Sequence, residues 1–466
     1  MTQTNRNPQP PLAPVAVIGA GLAGCECALA LAGRGIACTL FEMKPRRFSP
    51  AHEQAGLAEL VCSNSLRSDD PKSAVGQLKN ELRAMGSAVM RAAEATRVPA
   101  GKALAVDRAL FSRHMTAQVE AEPLISLERR EITALTPAPA SPDEPALQGF
   151  SHMVVAAGPL ASEALVASLL KLLAPLGGKQ DLYFYDAIAP IIAGDSLNRD
   201  IIFQGSRYDE GEGDYLNCPM NRDEYFAFYN ALMAAAKAPA KDFEQEKHFE
   251  GCMPIEALAE RGERTLVFGP FKPVGFTDPR TGGRPFAIVQ LRAENLNRSM
   301  FNLVGCQTKL LHKEQERVFR MIPGLENAEF ARFGSMHRNT FVNAPQALNP
   351  DLSLKAAPRI FLAGQITGVE GYVESSACGL WLGLSLAARI QGAPLPPPPP
   401  ESALGALLRH LQTPAKNFQP SNIQFGLMPE LGEPARKADR KLQYAQRAQR
   451  AFRAWLESCR LENREA

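Results

Sequence analysis

The sequence has no Cys-x-x-Cys pair, and its nine cysteines stand scattered at 25, 27, 38, 62, 218, 252, 306, 378 and 459. An odd, dispersed set excludes a disulfide framework or a zinc site as the organising device and fits reduced thiols in a cytoplasmic protein. Net charge is equally sparse: 51 Lys+Arg against 49 Asp+Glu leave a formal +2. A dedicated nucleic-acid binder carries a stronger basic excess, so any RNA partner has to be met by local patches. No secretory signal is visible, because Met1 to Pro11 is polar and proline-rich rather than basic then apolar. No membrane span is expected either, since the apolar run from Val15 to Ala32 contains Glu26 and several glycines. Residues 1–13 read as a disordered tail, and no internal repeat is seen.

What is present is an ordinary globular balance, 45% hydrophobic and 21% charged over 466 residues, enough for two or three domains. Pro14 to Gly19 reads as a strand, Leu22 to Arg34 as a helix and Ile36 to Glu42 as a second strand, a β-α-β unit. Its turn is Gly19-Ala20-Gly21-Leu22-Ala23-Gly24. Gly19 permits the tight turn, Gly21 lets backbone approach a pyrophosphate, and Gly24 lets helix and strand pack closely. The helix N-terminus then offers N–H groups and a partial positive charge. Glu42 lies near the ~20-residue offset expected of a ribose-binding acid. Two later strand–glycine elements favour FAD over NAD. Val154 to Pro159 resembles the strand that closes over the adenine half in two-domain flavoproteins. Phe361-Leu362-Ala363-Gly364-Gln365, followed by Gly368-Val369-Glu370-Gly371-Tyr372, resembles the late motif facing the flavin.

Between these landmarks the pattern predicts one helix over Ser73 to Arg97, with Leu78, Leu82, Met85 and Val89 on one face, and another over Asp107 to Glu120. Pro137 to Pro145 is a loop. From Asp181 to Pro323 the texture turns to aromatics, alternating strands and charged loops. The strand Arg359 to Gly364 and the helix Ser375 to Arg389 restore α/β character. Pro394 to Pro400 reads as a stiff extended spacer, and Arg436 to Arg464 as a basic amphipathic helix. The expected fold is therefore α/β: a Rossmann-like FAD-binding domain of the glutathione-reductase type, built from 12–180 and 324–466. An α+β substrate domain is inserted at 181–323.

Five stretches then carry a resemblance: Glu59 to Ser68 (ELVCSNSLRS), Val98 to Arg108 (VPAGKALAVDR), Tyr215 to Met220 (YLNCPM), Gly364 to Ser375 (GQITGVEGYVES) and Phe418 to Leu427 (FQPSNIQFGL). Together they resemble the TrmFO family, the folate- and FAD-dependent tRNA (uracil-5-)-methyltransferases, over almost the whole chain. The glycine turn and the Gln-Ile-Thr-Gly region are shared with the larger flavoprotein that modifies wobble uridine and do not discriminate. The resemblance implies transfer of a methylene group from 5,10-methylenetetrahydrofolate, through reduced FAD, to C5 of a uridine in the T arm of tRNA. It also implies NADH or NADPH as the reductant.

That chemistry needs a reactive thiol, because C5 of uracil attacks an electrophile only after a thiolate has added to C6. Cys218 matches the family's nucleophile position, and Pro219 stiffens what reads as a surface loop. Cys62, in a polar turn, also matches the family and is expected near the flavin or the uracil. Cys25, Cys27 and Cys378 read as packing residues. Gly364, Gln365 and Gly368 join the glycine turn and Glu42 as expected FAD contacts. Lys272, Arg284, Lys309 and Arg338 are candidates for lowering a thiol pKa. RNA contacts are sought in Arg332 to Arg338, which interleaves basic and aromatic residues, and in Arg436, Lys437, Arg440, Lys441, Arg447, Arg450 and Arg453. His337 reads as structural or flavin-neighbouring. The rival readings are an FAD disulfide reductase, which would need a second cysteine near Cys62, an amine oxidase, and an RNA-binding flavoprotein without turnover. The choice between tRNA and ribosomal RNA and the oligomeric state stay open.

Overall fold

Val15–Ile18 is apolar at every position and buried on both faces, the pattern of a central strand in a parallel sheet. In the computed structural model, which describes residues 13–135, 149–177, 181–207, 213–238, 253–432, 436 and 439–461, it pairs in parallel with Cys38–Phe41 and with His152–Val155. The six-stranded sheet runs Ser353–Leu354, Ala357–Leu362, His152–Val155, Val15–Ile18, Cys38–Phe41, Ile125–Glu128, with only the first pair antiparallel. The loop over 137–145, Cys252 and Lys437 lie outside the described residues.

The helix Leu22–Ala32 follows the first strand and crosses the long helix Tyr372–Ile390 at close range. A Cβ on Gly379 would stand 2.1 Å from the Ala23 carbonyl oxygen, and one on Gly383 2.7 Å from the Ala30 Cβ. Only glycine lets these helices approach so closely, and their contact fixes the late motif against the early turn.

The single helix predicted over 73–97 is two, Ala74–Ala84 and Ala88–Ala95. Gly86 takes a left-handed φ of 78°, which ends the first helix, and the Ser87 hydroxyl caps the second by accepting the Met90 N–H. The buried Glu26 carboxylate accepts from Ala88 and Val89 at that same end. Leu78, Leu82, Met85 and Val89 are buried as their spacing required.

A second, antiparallel sheet orders Phe203–Gly205, Tyr215–Met220, Ala287–Ala293, Met300–Leu303, Ile191–Ala193 and Phe330–Arg332. Its core draws on residues between 192 and 328, whereas the parallel sheet's core draws on 15–173 and 341–461. The antiparallel pair Asp181–Ala187 and Met336–Val342 connects the two regions. The proline run is not a free spacer: the Trp455 indole N–H donates to the Pro396 carbonyl at 3.1 Å, tying it to the C-terminal helix Arg440–Cys459. Among the described residues no helix is long and apolar enough to cross a membrane.

Candidate functional site

The first glycine turn forms a cradle. Gly19, at φ 99°, lies so close to the third strand that a Cβ would meet the Ala157 Cα at 2.6 Å. A Cβ on Gly21 would meet nothing within 4 Å and would project into open space. Gly21 is also the N-cap of Leu22–Ala32, and no side chain caps that end. Its leading N–H groups are thus left for an anion. Gly24 lies behind the turn, where a Cβ would stand 1.8 Å from the Gly19 carbonyl oxygen. Glu42 accepts the Ala20 N–H and the Lys44 N–H, both at 2.9 Å, so its carboxylate fixes the turn and retains lone pairs for ribose hydroxyls.

Gly19 to Ala23, Glu42, Ala156 to Ser162, Gly364, Gln365, Tyr372 and Ser375 line one continuous pocket. This donor set suits FAD: an uncapped helix end for the pyrophosphate, a carboxylate for the ribose, and a second glycine-flanked helix start at Tyr372. Gly368 does not reach the pocket, because it packs behind the wall, where a Cβ would lie 2.5 Å from the Phe418 ring. Among the described residues no group of three or more His, Cys, Asp or Glu could hold a metal.

Cys62 lies behind this wall: it does not line the pocket itself, but its partner Tyr372 does. Its Sγ is 3.0 Å from the Tyr372 hydroxyl, which also accepts the backbone N–H of Cys62 at 2.9 Å and of Ser63 at 3.4 Å. With its lone pairs so engaged, the phenol directs its own O–H at sulfur. Burial and the nearby Asp186 carboxylate push the thiol up to about 12, while the Tyr372 hydrogen bond and the Arg108 guanidinium pull it back down. At rest Cys62 is a thiol whose ionised form already has a donor beside it.

Three arginines hold this segment. Arg108 donates to the Leu60 carbonyl at 2.7 Å and pairs with Glu294. Arg292 donates to Asn64 Oδ1 and Ser63 Oγ, both at 2.8 Å. Arg332 donates to the carbonyls of Val61 at 3.0 Å and Ala51 at 2.9 Å. Arg332, sought as an RNA contact, is therefore a buttress. Sequence reasoning placed Tyr372 in the late motif and Arg108 in a family stretch without giving either a role, and missed Arg292 and the buried Lys44–Glu59 pair at 2.9 Å. The partners lie far apart in the chain, and no local pattern joins them.

Cys218 is not on a loop. It lies in the strand Tyr215–Met220, where alternate side chains face opposite sides of the sheet. Leu216, Cys218 and Met220 point into the apolar core. Asn217 points the other way and accepts from Gln290 at 3.1 Å. Cys218 is fully buried, and burial drives its thiol far above the ordinary range. Cys25, Cys27 and Cys378 are buried packing residues, as their sequence setting suggests.

Beside the flavin pocket, and sharing Met43 and Pro159 to Ser162 with it, opens a cavity of about 1280 Å³. Lys309, Arg338 and His337 line it, whereas Lys272 and Arg284 do not. Arg338 lies 4.2 Å over the Tyr183 ring. His337 bonds Ser335 at 2.9 Å, and burial together with the Arg332 charge lowers its imidazole to about 4, so it is neutral at pH 7. On the C-terminal helix Arg440, Lys441, Arg450 and Arg453 are exposed away from this cavity, and Arg447 is tied to the carbonyls of Pro429 and Glu430.

Residues 14–394 match the family model described as glucose inhibited division protein A, GIDA. The methylenetetrahydrofolate--tRNA-(uracil-5-)-methyltransferase TrmFO of Nitratidesulfovibrio vulgaris (strain Hildenborough) is 69% identical over 443 residues, 95% of this chain and 91% of that protein. The protein of the same name from Geobacter sulfurreducens is 56% identical over 444 residues, 95% of this chain and 98% of its own length. Among solved structures, GidA of Aquifex aeolicus in crystal form II superposes with a TM-score of 0.64, covering 96% of this chain and 74% of that one. At 17% identity that likeness shows the fold, a Rossmann-like α/β architecture.

Proposed function

The chain belongs to the TrmFO family, and on that premise we propose that it moves a one-carbon unit from 5,10-methylenetetrahydrofolate to C5 of a uridine in the T arm of tRNA. The product is 5-methyluridine, NADH or NADPH is the reductant, and a tRNA substrate sets the reaction in the cytoplasm. The observation that carries this reading is the Cys62–Tyr372 pair, whose tyrosine lines a dinucleotide cradle that opens into a wide cavity.

Gly19 to Ala23 and the uncapped helix end would hold the pyrophosphate of FAD, Glu42 its ribose, and Gly364, Gln365, Tyr372 and Ser375 its far end. Bound there, FAD supplies the relay of the one-carbon unit and the reducing electrons. The chain's own residues activate the acceptor. Sulfur addition at C6 breaks the C5=C6 π bond and leaves an enolate with its electron pair on C5. C5 bonds to the methylene carbon, and loss of the C5 proton breaks that carbon's bond to its carrier. A hydride equivalent originating in NADH or NADPH turns the methylene into methyl, and the C6–S bond breaks to restore C5=C6 and the thiolate. Cys62 is the thiol assigned to this addition. The Tyr372 O–H favours its thiolate, and Arg108 adds positive potential. Cys218, the other expected nucleophile, faces the apolar core and, like Cys62, lines neither pocket, so it takes the role if a local rearrangement exposes its sulfur.

The test is mass analysis of bulk tRNA after incubation with the protein, methylenetetrahydrofolate and NADH or NADPH. The reading requires 5-methyluridine to appear, and its absence with flavin-loaded protein overturns it.

A further inference from the structure

At the rim of the wide cavity three rings stack in line. His312 lies on Phe333 with centroids 4.4 Å apart and planes within 9°. Phe333 lies on Phe330 at 5.2 Å and 7°. Phe333 is thus covered on both faces. The Arg320 guanidinium, 6.0 Å from the ring centre, lies over Phe330. Of the three, only His312 lines the cavity, and it is exposed to solvent. The stack therefore presents a flat aromatic face, rigidly backed by two phenyl rings. Lys309, Lys313, Arg338 and Arg47 line the same space.

A protein that acts on a base has to take that base out of its stack, which leaves neighbouring bases splayed and in need of a surface. Aromatic faces beside cationic groups receive such bases, and His is among the side chains that do so. We infer that the outer face of His312 is a stacking platform for a nucleobase neighbouring the uridine that enters the cavity, with Lys313 beside it taking a backbone phosphate. The inference rests on the tRNA-methyltransferase reading and adds to it the place where the RNA is gripped. A ring used only to fill a core would have both faces covered, as Phe333 has. His312 has one face packed and one face open beside cations.

The experiment uses flavin-loaded full-length protein and a T-arm RNA hairpin, with affinity read at several salt concentrations. His312→Ala is expected to weaken RNA binding about 5- to 100-fold. The salt slope stays unchanged, because no phosphate contact is lost. His312→Phe keeps wild-type affinity, because it keeps the ring. Lys313→Ala lowers the salt slope by about one. Flavin content and the KM values for methylenetetrahydrofolate and NADH stay as in the wild type. The inference is overturned if His312→Ala binds RNA normally, if His312→Phe loses as much as His312→Ala, or if the loss falls on the folate or nicotinamide KM. The two readings fail separately. Wild-type protein that neither binds nor methylates the hairpin sinks the methyltransferase reading, and the platform with it. Wild-type activity beside an unaffected His312→Ala sinks the platform alone.

Discussion

Tyr372→Phe removes one oxygen and tests what sets the Cys62 thiol. The phenol donates to Sγ at 3.0 Å while accepting two backbone N–H groups, so its loss withdraws the donor that favours the thiolate. A hydrogen bond to a charged group contributes about 1.5–3 kcal/mol. At about 1.36 kcal/mol per pKa unit, the thiol then rises by about 1–2 units. It starts from about 12, held up by burial, so in both proteins the sulfur is protonated at neutral pH and reacts through a small thiolate fraction, and the change in that fraction appears in the rate. Alkylation of Cys62 by iodoacetamide, followed by peptide mass analysis between pH 7 and 10, is expected to run about 10- to 100-fold slower in the variant at every pH. In the wild type the rate keeps rising through pH 9, where an ordinary thiol levels off. The two stranded N–H groups cost about 1–3 kcal/mol each at most, less where water reaches them. A Tyr372→Phe protein whose Cys62 reacts at the wild-type rate throughout refutes the reasoning.

Two substitutions in one motif should part company. Gly21→Ala adds a methyl where nothing lies within 4 Å, so thermal stability is unchanged while FAD binding falls, as flavin absorbance after gel filtration reads. Gly24→Ala sets a methyl 1.8 Å from the Gly19 oxygen and is expected to lose about 1–3 kcal/mol of stability in urea unfolding. The folded imidazole of His337 titrates at about 4, below its ordinary 6.5. Its contribution to stability is therefore present above pH 6.5 and is lost as pH falls towards 4. The NMR midpoint of its ring protons is expected near 4, and a midpoint near 6.5 would contradict the burial argument.

The dinucleotide unit was legible because its demands are local: a turn that must reach φ 99° at Gly19, a methyl-free approach at Gly21, and an acid at the end of the next strand. The break at Gly86-Ser87 was equally local and could have been read, since glycine followed by a helix-capping serine ends one helix and starts another. The thiol site was not legible in the same way. Cys62 and Tyr372 are 310 positions apart, and Arg292 reaches Ser63 across 229. Only the folded packing brings them together. The motif around Cys218 drew attention to the cysteine and hid its direction. The alternation Leu216, Cys218, Met220 against Asn217 is a strand signal, and it points the sulfur into the core.

The most direct measurement is to incubate the reduced, flavin-loaded protein and 5,10-methylenetetrahydrofolate with T-arm RNA carrying 5-fluorouridine at the target position and map the cross-linked peptide by mass. Fluorine at C5 cannot leave as a proton does, so the thiol that adds to C6 stays attached. The account predicts RNA on the peptide containing Cys62 and a Cys218 thiol that stays protected from alkylation in the complex. RNA attached to Cys218 would contradict it.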